Sequence, residues 1–326
     1  SDPAVSQPRP LPRRGGGYRT GALLVVTYWI YRAIAALPLS ISYRLARVLA
    51  WLTERVFKYR VTTVDQNLRR SFPDQSEAWY ATTRHLFYQQ FADVSVEAMY
   101  AWRMPRKELE ERMTITGWEP LISSDDESPK PGILLSIHHN NWEWLTQRAS
   151  AAATAPLDGV YKPLHDRGAD RFALESRGKW GATLITMKGV SRHLLKNRRT
   201  PRVLALLADQ SPGQREASLW THFLNQTTAF FMGPATLARL TKYPVYFART
   251  QRLSQGHYHA ELLTICSEPG TMSESELIEK YVALAEETIR LQPESYLWTN
   301  RRWKLEPPQA TLETAPDASE EIQSNP

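Results

Sequence analysis

The sequence predicts an α/β fold in which a central sheet is flanked by helices. Buried-strand patterns at 133–137, 203–208 and 244–248 each lie near a segment with helical periodicity. Further elements are predicted as a strand of alternating polarity at 258–263 and helices at 142–152, 168–179, 231–242 and 274–291. Because strands and helices alternate along the chain, we expect ligands at the carboxyl ends of the strands.

The composition excludes several classes of protein. Of the 326 residues, 42% are hydrophobic and 23% are charged, which is unlike a disordered, collagenous or polytopic membrane chain. The single cysteine, Cys266, excludes an internal disulfide framework and any multi-cysteine metal site. Cys266 follows apolar residues late in a strand-like segment, so we expect a buried structural thiol.

The charge is unevenly distributed along the chain. The whole chain carries +6, and because the segment after Lys304 contains only acidic charges, the preceding residues carry +11. A basic body indicates an anionic partner such as an acidic lipid, a phosphorylated substrate, an acidic carrier protein or nucleic acid. The alternative is an ordinary solvated surface. We do not expect nucleic-acid binding, because no recognised nucleic-acid-binding module is present.

Four regions follow one another along the chain. Residues 1–20 are rich in proline, glycine and arginine and are predicted to form a disordered basic arm. Residues 21–58 contain two apolar helical patterns, and residues 59–304 form the main folded domain. Residues 305–326 are predicted to be a disordered acidic tail.

The two apolar patterns in 21–58 predict membrane-anchoring helices. The run 21–38 is apolar apart from Thr27 and Arg32, and it is slightly shorter than the ~20 residues of a spanning helix. The second pattern is a helical stripe, followed by basic residues, that consists of Ile41, Leu45, Val48, Leu49 and Leu52. A buried helical hairpin is the alternative, and the sequence leaves open whether 21–38 spans the bilayer or lies flat.

A polar stretch beginning at His138 follows the buried strand 133–137 and contains the strongest candidates for catalysis. His138 and Glu143 are five residues apart, so one continuous helix would splay their side chains by ~140°. If His138 lies in a turn and Glu143 in the first helical turn, the two side chains can converge. A carboxylate on one imidazole nitrogen lets the other nitrogen accept a proton from a hydroxyl. The alternative is a surface histidine pair.

A second pair of polar residues, Asp209 and Gln210, follows the strand 203–208. The same argument from strand ends places this pair at the edge of the same crevice. Asp209 could equally cap a helix or a turn.

Several motifs in chain order carry a family resemblance. They are residues 67–73 (NLRRSFP), His138 with Glu143, residues 161–164 (YKPL) leading through Asp170 to Arg177, residues 208–210 (ADQ), residues 233–239 (GPATLAR) and residues 298–304 (WTNRRWK). On these motifs the chain resembles the lipid A late acyltransferases, the lauroyl and myristoyl transferases of Gram-negative bacteria, within the glycerolipid acyltransferase superfamily. The resemblance runs from about residue 60 to residue 304.

The resemblance implies a fold with a central mixed sheet and an N-terminal membrane-associated segment. It also implies acyl transfer from an acyl carrier protein to a hydroxyl of a lipid A precursor, at the cytoplasmic face of the bacterial inner membrane. His138 is then the general base and Glu143 its orienting partner, and no cofactor or metal is expected. The expected substrate-binding residues are Arg177, Asp209, Gln210, Arg301 and Arg302, of which the arginines suit phosphate because guanidinium presents paired donors.

Three departures from the family pattern leave the acceptor open. Residues 139–142 (HNNW) differ from the best-known members, Asn300 stands where the family usually has a histidine, and residues 211–213 (SPG) stand where a tyrosine-containing turn is common. One alternative is therefore an acyltransferase for another glycolipid or a lysophospholipid. The other alternative is a non-catalytic, membrane-bound relative that binds lipid.

Overall fold

The computed structural model describes residues 19–124, 127–214 and 216–308, with side chains from residue 26 onward. Its helices are α1 (Arg19–Ala35), α2 (Leu39–Trp51), α3 (Val61–Ser71), α4 (Glu77–Tyr100), α5 (Arg106–Arg112), α6 (Trp142–Ala152), α7 (Arg167–Arg177), α8 (Val190–Lys196), α9 (Gly233–Thr241) and α10 (Glu274–Leu291). Its strands are β1 (Met113–Thr116), β2 (Gly132–Ser136), β3 (Leu157–Tyr161), β4 (Thr183–Thr186), β5 (Val203–Leu207), β6 (Ser218–Phe223), β7 (Gln226–Phe231), β8 (Val245–Ser254) and β9 (His257–Cys266).

A mixed seven-stranded sheet forms the centre of the fold, in the order β1-β9-β8-β2-β5-β3-β4. All neighbouring strands are parallel except β8 and β9, which form an antiparallel pair. Strands β6 and β7 form a separate antiparallel hairpin. The predicted α/β class with a central mixed sheet flanked by helices is thereby confirmed.

The central strand β2 is buried along its whole length, which explains its continuous apolar sequence. On one face of the sheet, Ile133 and Leu135 join a core that α10 covers, whereas Leu134 packs with Trp144 of α6 on the other face. The carboxyl ends of β2 and β5 are adjacent, because the pairing runs in register from Gly132–Val203 to Ser136–Leu207. This adjacency determines the position of the candidate site.

The N-terminal helices α1 and α2 lie against the body of the protein. Helix α1 packs on α7 and α4, and α2 packs on α4. Among the described residues, no single helix is both long and apolar enough to cross a bilayer. Within the same part of the chain, one bent pair, Val26–Ala35 and Leu39–Val56, reaches that length and composition together, with an angle of 116° between its parts.

The predicted helices 142–152 and 274–291 coincide with α6 and α10, but the sequence pattern did not predict several other elements. Strand β3 was not predicted because its sequence, LDGVY, contains an aspartate and a glycine. Asp158 is fully buried, and this strand tolerates its charge because Arg202 forms an ion pair with it. Cys266 is buried at the end of β9, as predicted. The predicted arm and tail lie mostly outside the described residues.

Candidate active site

The candidate site begins in the short loop between β2 and α6. Asn140 in this loop has a positive φ of 52°, and its side-chain amide donates hydrogen bonds to the backbone oxygen of Thr250 and to Gln292. Asn141 is the N-cap of α6, because its side-chain oxygen accepts a hydrogen bond from the backbone N–H of Trp144 at 2.9 Å. These contacts fix the direction in which the loop presents its side chains.

A buried carboxylate orients the first histidine of the loop. The Nδ1 atom of His138 lies 2.7 Å from Oδ1 of Asp209, whose side chain is fully buried, while the His138 side chain remains 15% exposed. Since an ionised carboxylate only accepts hydrogen bonds, Nδ1 carries the proton and Nε2 has the lone pair in the neutral imidazole. This arrangement suits a base that removes a proton through Nε2.

Glu143 pairs with an arginine rather than with His138. The Nε atom of Arg177, the last residue of α7, donates to Oε2 of Glu143 at 2.7 Å, and Nη2 donates to the other carboxylate oxygen. This two-point contact holds the guanidinium and the carboxylate in one plane. The carboxylate that contacts His138 in this structure is therefore Asp209, and the expected direct hydrogen bond from Glu143 is replaced by the Arg177 pair.

The charges in the site act together on their pKa values. Burial lowers the pKa of His138, but the charge and hydrogen bond of Asp209 outweigh it and, with a smaller contribution from Glu143, raise that pKa above its ordinary value. Burial raises the pKa of Asp209, and the interaction with His138 outweighs it and lowers that pKa. Burial likewise raises the pKa of Glu143, and the charge of Arg177 outweighs it. Both carboxylates are therefore ionised at neutral pH.

A cavity of about 690 Å³ opens beside His138. Trp142, Glu143, Arg177 and Gln210 also line it. The side-chain nitrogen of Gln210, an exposed residue, lies 3.3 Å from Nε2 of His138. A substrate hydroxyl that reaches Nε2 has to displace this amide.

The floor of the cavity is a row of residues across four neighbouring strands. In register order, Leu134 of β2 pairs with Ala205 of β5, Ala205 with Gly159 of β3, and Gly159 with Leu184 of β4, and all four line the cavity. The two central residues are small, so the row leaves an apolar groove above the middle of the sheet. The sheet thus provides a polar site at its edge and an apolar surface further inside.

Comparison with known proteins identifies the family of this chain. Residues 19–305 match the model of the bacterial lipid A biosynthesis acyltransferase family. The chain belongs to this family. It is also similar to the lipid A biosynthesis lauroyltransferase of Escherichia coli (strain K12), with 26% identity over 302 residues that cover 88% of this chain and 95% of that protein. The family name and this similarity identify an acyltransferase of lipid A biosynthesis.

The structure brings together some, but not all, of the predicted site residues of this acyltransferase. His138, Glu143, Arg177 and Gln210 line the cavity, and Asp209 lies directly behind His138. Each of these residues is placed by the end of β2 or β5, by the first turn of α6 or by the end of α7.

The two predicted substrate-binding arginines near the C-terminus are placed differently. Arg302 is only 2% exposed, donates a hydrogen bond to the backbone oxygen of Ala229 and packs over the ring of Phe230. It lies close enough to Asp209 for the two charges to interact, although burial is the larger effect and lowers the pKa of Arg302. Arg301 is exposed and is not among the residues that line the cavity. Neither position supports a contact with substrate.

Sequence reasoning missed the pairing of His138 with Asp209 and the cavity position of Lys162. The sequence shows polar residues at the ends of both strands. Their contact follows from the pairing of β2 and β5, which are adjacent and parallel in the sheet. Lys162 lines the cavity just after β3 and, among the described residues, forms no ion pair. It lies within the YKPL segment that the resemblance singled out, but no role was assigned to it.

Proposed function

We propose that this acyltransferase moves a fatty acyl chain from an acyl carrier protein thioester to a hydroxyl of a lipid A precursor, with His138 as general base. The observation that carries the proposal is the hydrogen bond between Nδ1 of His138 and buried Asp209, beside a cavity of about 690 Å³ that His138 lines. The family and the apolar groove support the same assignment.

The proposed reaction needs one proton shuttle. Nε2 of His138 takes the proton of the acceptor hydroxyl while the oxygen attacks the thioester carbonyl and forms a new C–O bond. The tetrahedral intermediate then expels the carrier thiolate as the C–S bond breaks, and the imidazolium returns the proton to the sulfur. The negative charge of Asp209, 2.7 Å away, stabilises the imidazolium between the two steps.

We assign Arg177, which Glu143 holds in place, to binding anionic groups near the reacting carbonyl. Nε and Nη2 of Arg177 are occupied by Glu143, which leaves Nη1 for a phosphate or for the developing oxyanion. Lys162 adds a second positive charge at the cavity. Their combined charge suits a phosphorylated glycolipid acceptor.

We assign the acyl chain to the groove above Ala205 and Gly159. Both residues are flanked by leucines in the same row, so a hydrocarbon chain extending inward from His138 contacts apolar atoms. Ala205→Leu fills the groove and is expected to shift the preferred donor toward shorter chains. The measurement is a competition among carrier-bound acyl chains of different length, and an unchanged preference contradicts this assignment.

We further propose that the outer face of α2 lies in the lipid interface. Its small residues Ser42, Ala46 and Ala50 are buried, and the last two belong to a cluster with Ala92 and Val96 of α4. Apart from Leu39, which is buried at the start of the helix, its large aliphatic residues and Trp51 are instead exposed to between 42% and 57%, namely Ile41, Leu45, Val48, Leu49 and Trp51. A helix that exposes its large apolar face beside basic residues is typical of interfacial anchoring.

The first experiment follows transfer of a labelled acyl chain from carrier proteins to a tetraacylated lipid A precursor. His138→Ala is expected to lower kcat by a factor on the order of 10³, the range of general base catalysis. The matched control is His139→Gln, because this neighbouring side chain points away from the cavity. Wild-type activity in His138→Ala contradicts the proposed base, and transfer only to other acceptors contradicts the proposed acceptor.

A second experiment tests the interface by sedimentation with anionic vesicles. Leu45→Glu with Leu49→Glu should release most of the protein, because two charges are placed on the apolar face of α2. Leu240, which is 69% exposed on α9, provides the matched control Leu240→Glu. Equal binding by both variants contradicts the proposed anchoring face.

A further inference from the structure

A basic stripe runs along the turn and helix that follow β4. Lys188 lies in the 3-10 turn Met187–Gly189, Arg192 and Lys196 lie in α8, and Arg199 follows the helix. All four are exposed, and Arg192 and Lys196, four residues apart in α8, share one side of that helix. We call these four residues, together with Leu195, the α8 stripe.

The opposite side of α8 is attached to the protein. Val190 is buried in the main core, Leu194 packs against that core, and His193 contacts the buried carboxylate of Asp158 at 3.0 Å. The outward direction of the stripe is therefore fixed by these contacts.

The charge of the stripe is not neutralised within the protein. Residues 187–202 contain no aspartate or glutamate, and among the described residues none of the four basic stripe residues forms an ion pair. By comparison, many exposed arginines elsewhere in the described chain are paired, as in Arg69–Glu77 and Arg171–Glu175. An uncompensated row of cations favours an acidic partner.

The stripe starts at the rim of the candidate active site. Met187, the residue before Lys188, lines the cavity and is 47% exposed. From there the segment to Arg199 would extend about 18 Å at the rise of an α-helix, about the length of a short helix on a partner. Leu195 is 64% exposed in the middle of the row and offers an apolar contact between the charges.

We propose that the α8 stripe is the docking surface for the acidic carrier protein that delivers the acyl thioester into the cavity past Met187. This inference rests on the proposed function, since it names where the donor of that reaction binds. A bilayer is a poorer occupant, because the stripe has one large apolar side chain among its cations, whereas α2 exposes a continuous apolar row and packs on a different helix, α4.

The test measures binding directly, so that it does not depend on turnover. A fluorescently labelled acyl carrier protein is titrated with the full chain in detergent micelles, and its anisotropy gives Kd. Arg192→Glu with Lys196→Glu is expected to raise Kd at least about tenfold and to remove most of its salt dependence. The matched control, Lys242→Glu with Lys280→Glu, makes the same change in net charge at two exposed lysines outside the stripe.

The outcomes separate the alternatives. A rise in Kd confined to the stripe variant, with its unfolding temperature unchanged, supports the proposal. An unchanged Kd, an equal rise in the control, failure of the wild type to bind the carrier, or loss of vesicle binding alone overturns it. If the wild type binds the carrier but transfers nothing, and the rise in Kd is confined to the stripe variant, the proposed function is contradicted while the docking surface stays supported.

Discussion

His138 and His139 are neighbours in one loop, yet the structure gives them opposite environments. His138 is directed to the cavity, and its Nδ1 atom lies against Asp209. His139 is 1% exposed, and its Nε2 atom donates a hydrogen bond to the backbone oxygen of Gln292 at 2.9 Å. The two rings therefore hold their protons on different nitrogens, because one faces a carboxylate through Nδ1 and the other faces a carbonyl through Nε2.

The contrast extends to their pKa values. Burial lowers the pKa of His139 to about 4, because hydrogen bonds to the backbone and the charge of Asp209 do not offset it there, whereas the charge and hydrogen bond of Asp209 outweigh burial at His138 and raise its pKa. Proximity in sequence thus carries little information about chemical role. The partner on the neighbouring strand decides which histidine can act as a base.

The most direct way to break this contrast is to remove the charge beside His138. Asp209→Asn is expected to lower kcat by about a thousandfold, because the imidazolium loses its stabilising charge and the amide allows the wrong tautomer. The residual activity should also change its pH dependence. A base works in its neutral form, so wild-type activity falls below the raised pKa of His138, and the variant should retain its activity to lower pH.

A pH–rate profile of kcat/KM for both proteins measures this effect. The ascending limb of the wild type is expected above the ordinary histidine value of about 6.5. A variant whose limb coincides with that of the wild type contradicts the assignment of Asp209 as the partner of His138.

A smaller loss is expected when the second carboxylate is neutralised. Glu143→Gln leaves Arg177 without its two-point partner, and it removes only a minor contribution to the pKa of His138. We expect kcat/KM to fall by about a hundredfold, mainly because the guanidinium is no longer held in place. In an Arg177→Met background, Glu143→Gln should lower kcat/KM much less. An equal fall in kcat/KM in both backgrounds contradicts coupling of Glu143 to Arg177.

Part of this site could be predicted from the sequence because the decisive signals are local. The apolar run before His138 identifies a buried strand, and polar residues at a strand end identify a ligand site. The choice between Glu143 and Asp209 is not local, because it depends on β2 pairing in register with β5, about 70 residues further along the chain. Spacing within one segment favoured Glu143, and the sheet brings Asp209 instead.

The placement of Arg302 illustrates a second limit of sequence reasoning. Arginines near the end of a domain usually face solvent or an anion, and nothing in residues 298–304 distinguishes Arg301 from Arg302. Burial of Arg302 depends on the β6–β7 hairpin, which supplies the carbonyl of Ala229 and the ring of Phe230. That hairpin was itself missed by the sequence pattern, so its consequence could not be foreseen.

The smallest effect on activity is expected from His139→Gln, in contrast to the large loss expected when His138 is replaced. The Gln side chain can still donate to Gln292, so kcat should stay within about threefold. The folded-state pKa of His139 is lowered to about 4, below the ordinary histidine value of about 6.5. The contribution of this residue to the free energy of unfolding is therefore fully present above pH 6.5 and is lost as pH falls toward 4.

The comparison of unfolding free energies at pH 7 and pH 5 isolates this contribution. Titration of His139 should cost the wild type about 2 kcal/mol between these values, and His139→Gln should be spared that loss. His138 has the opposite sign, since a raised pKa gives stabilisation that is present below the unfolded value and is lost as pH rises through the folded one. If wild type and His139→Gln lose the same free energy of unfolding between pH 7 and pH 5, the lowered pKa of His139, and with it the contrast to His138, is contradicted.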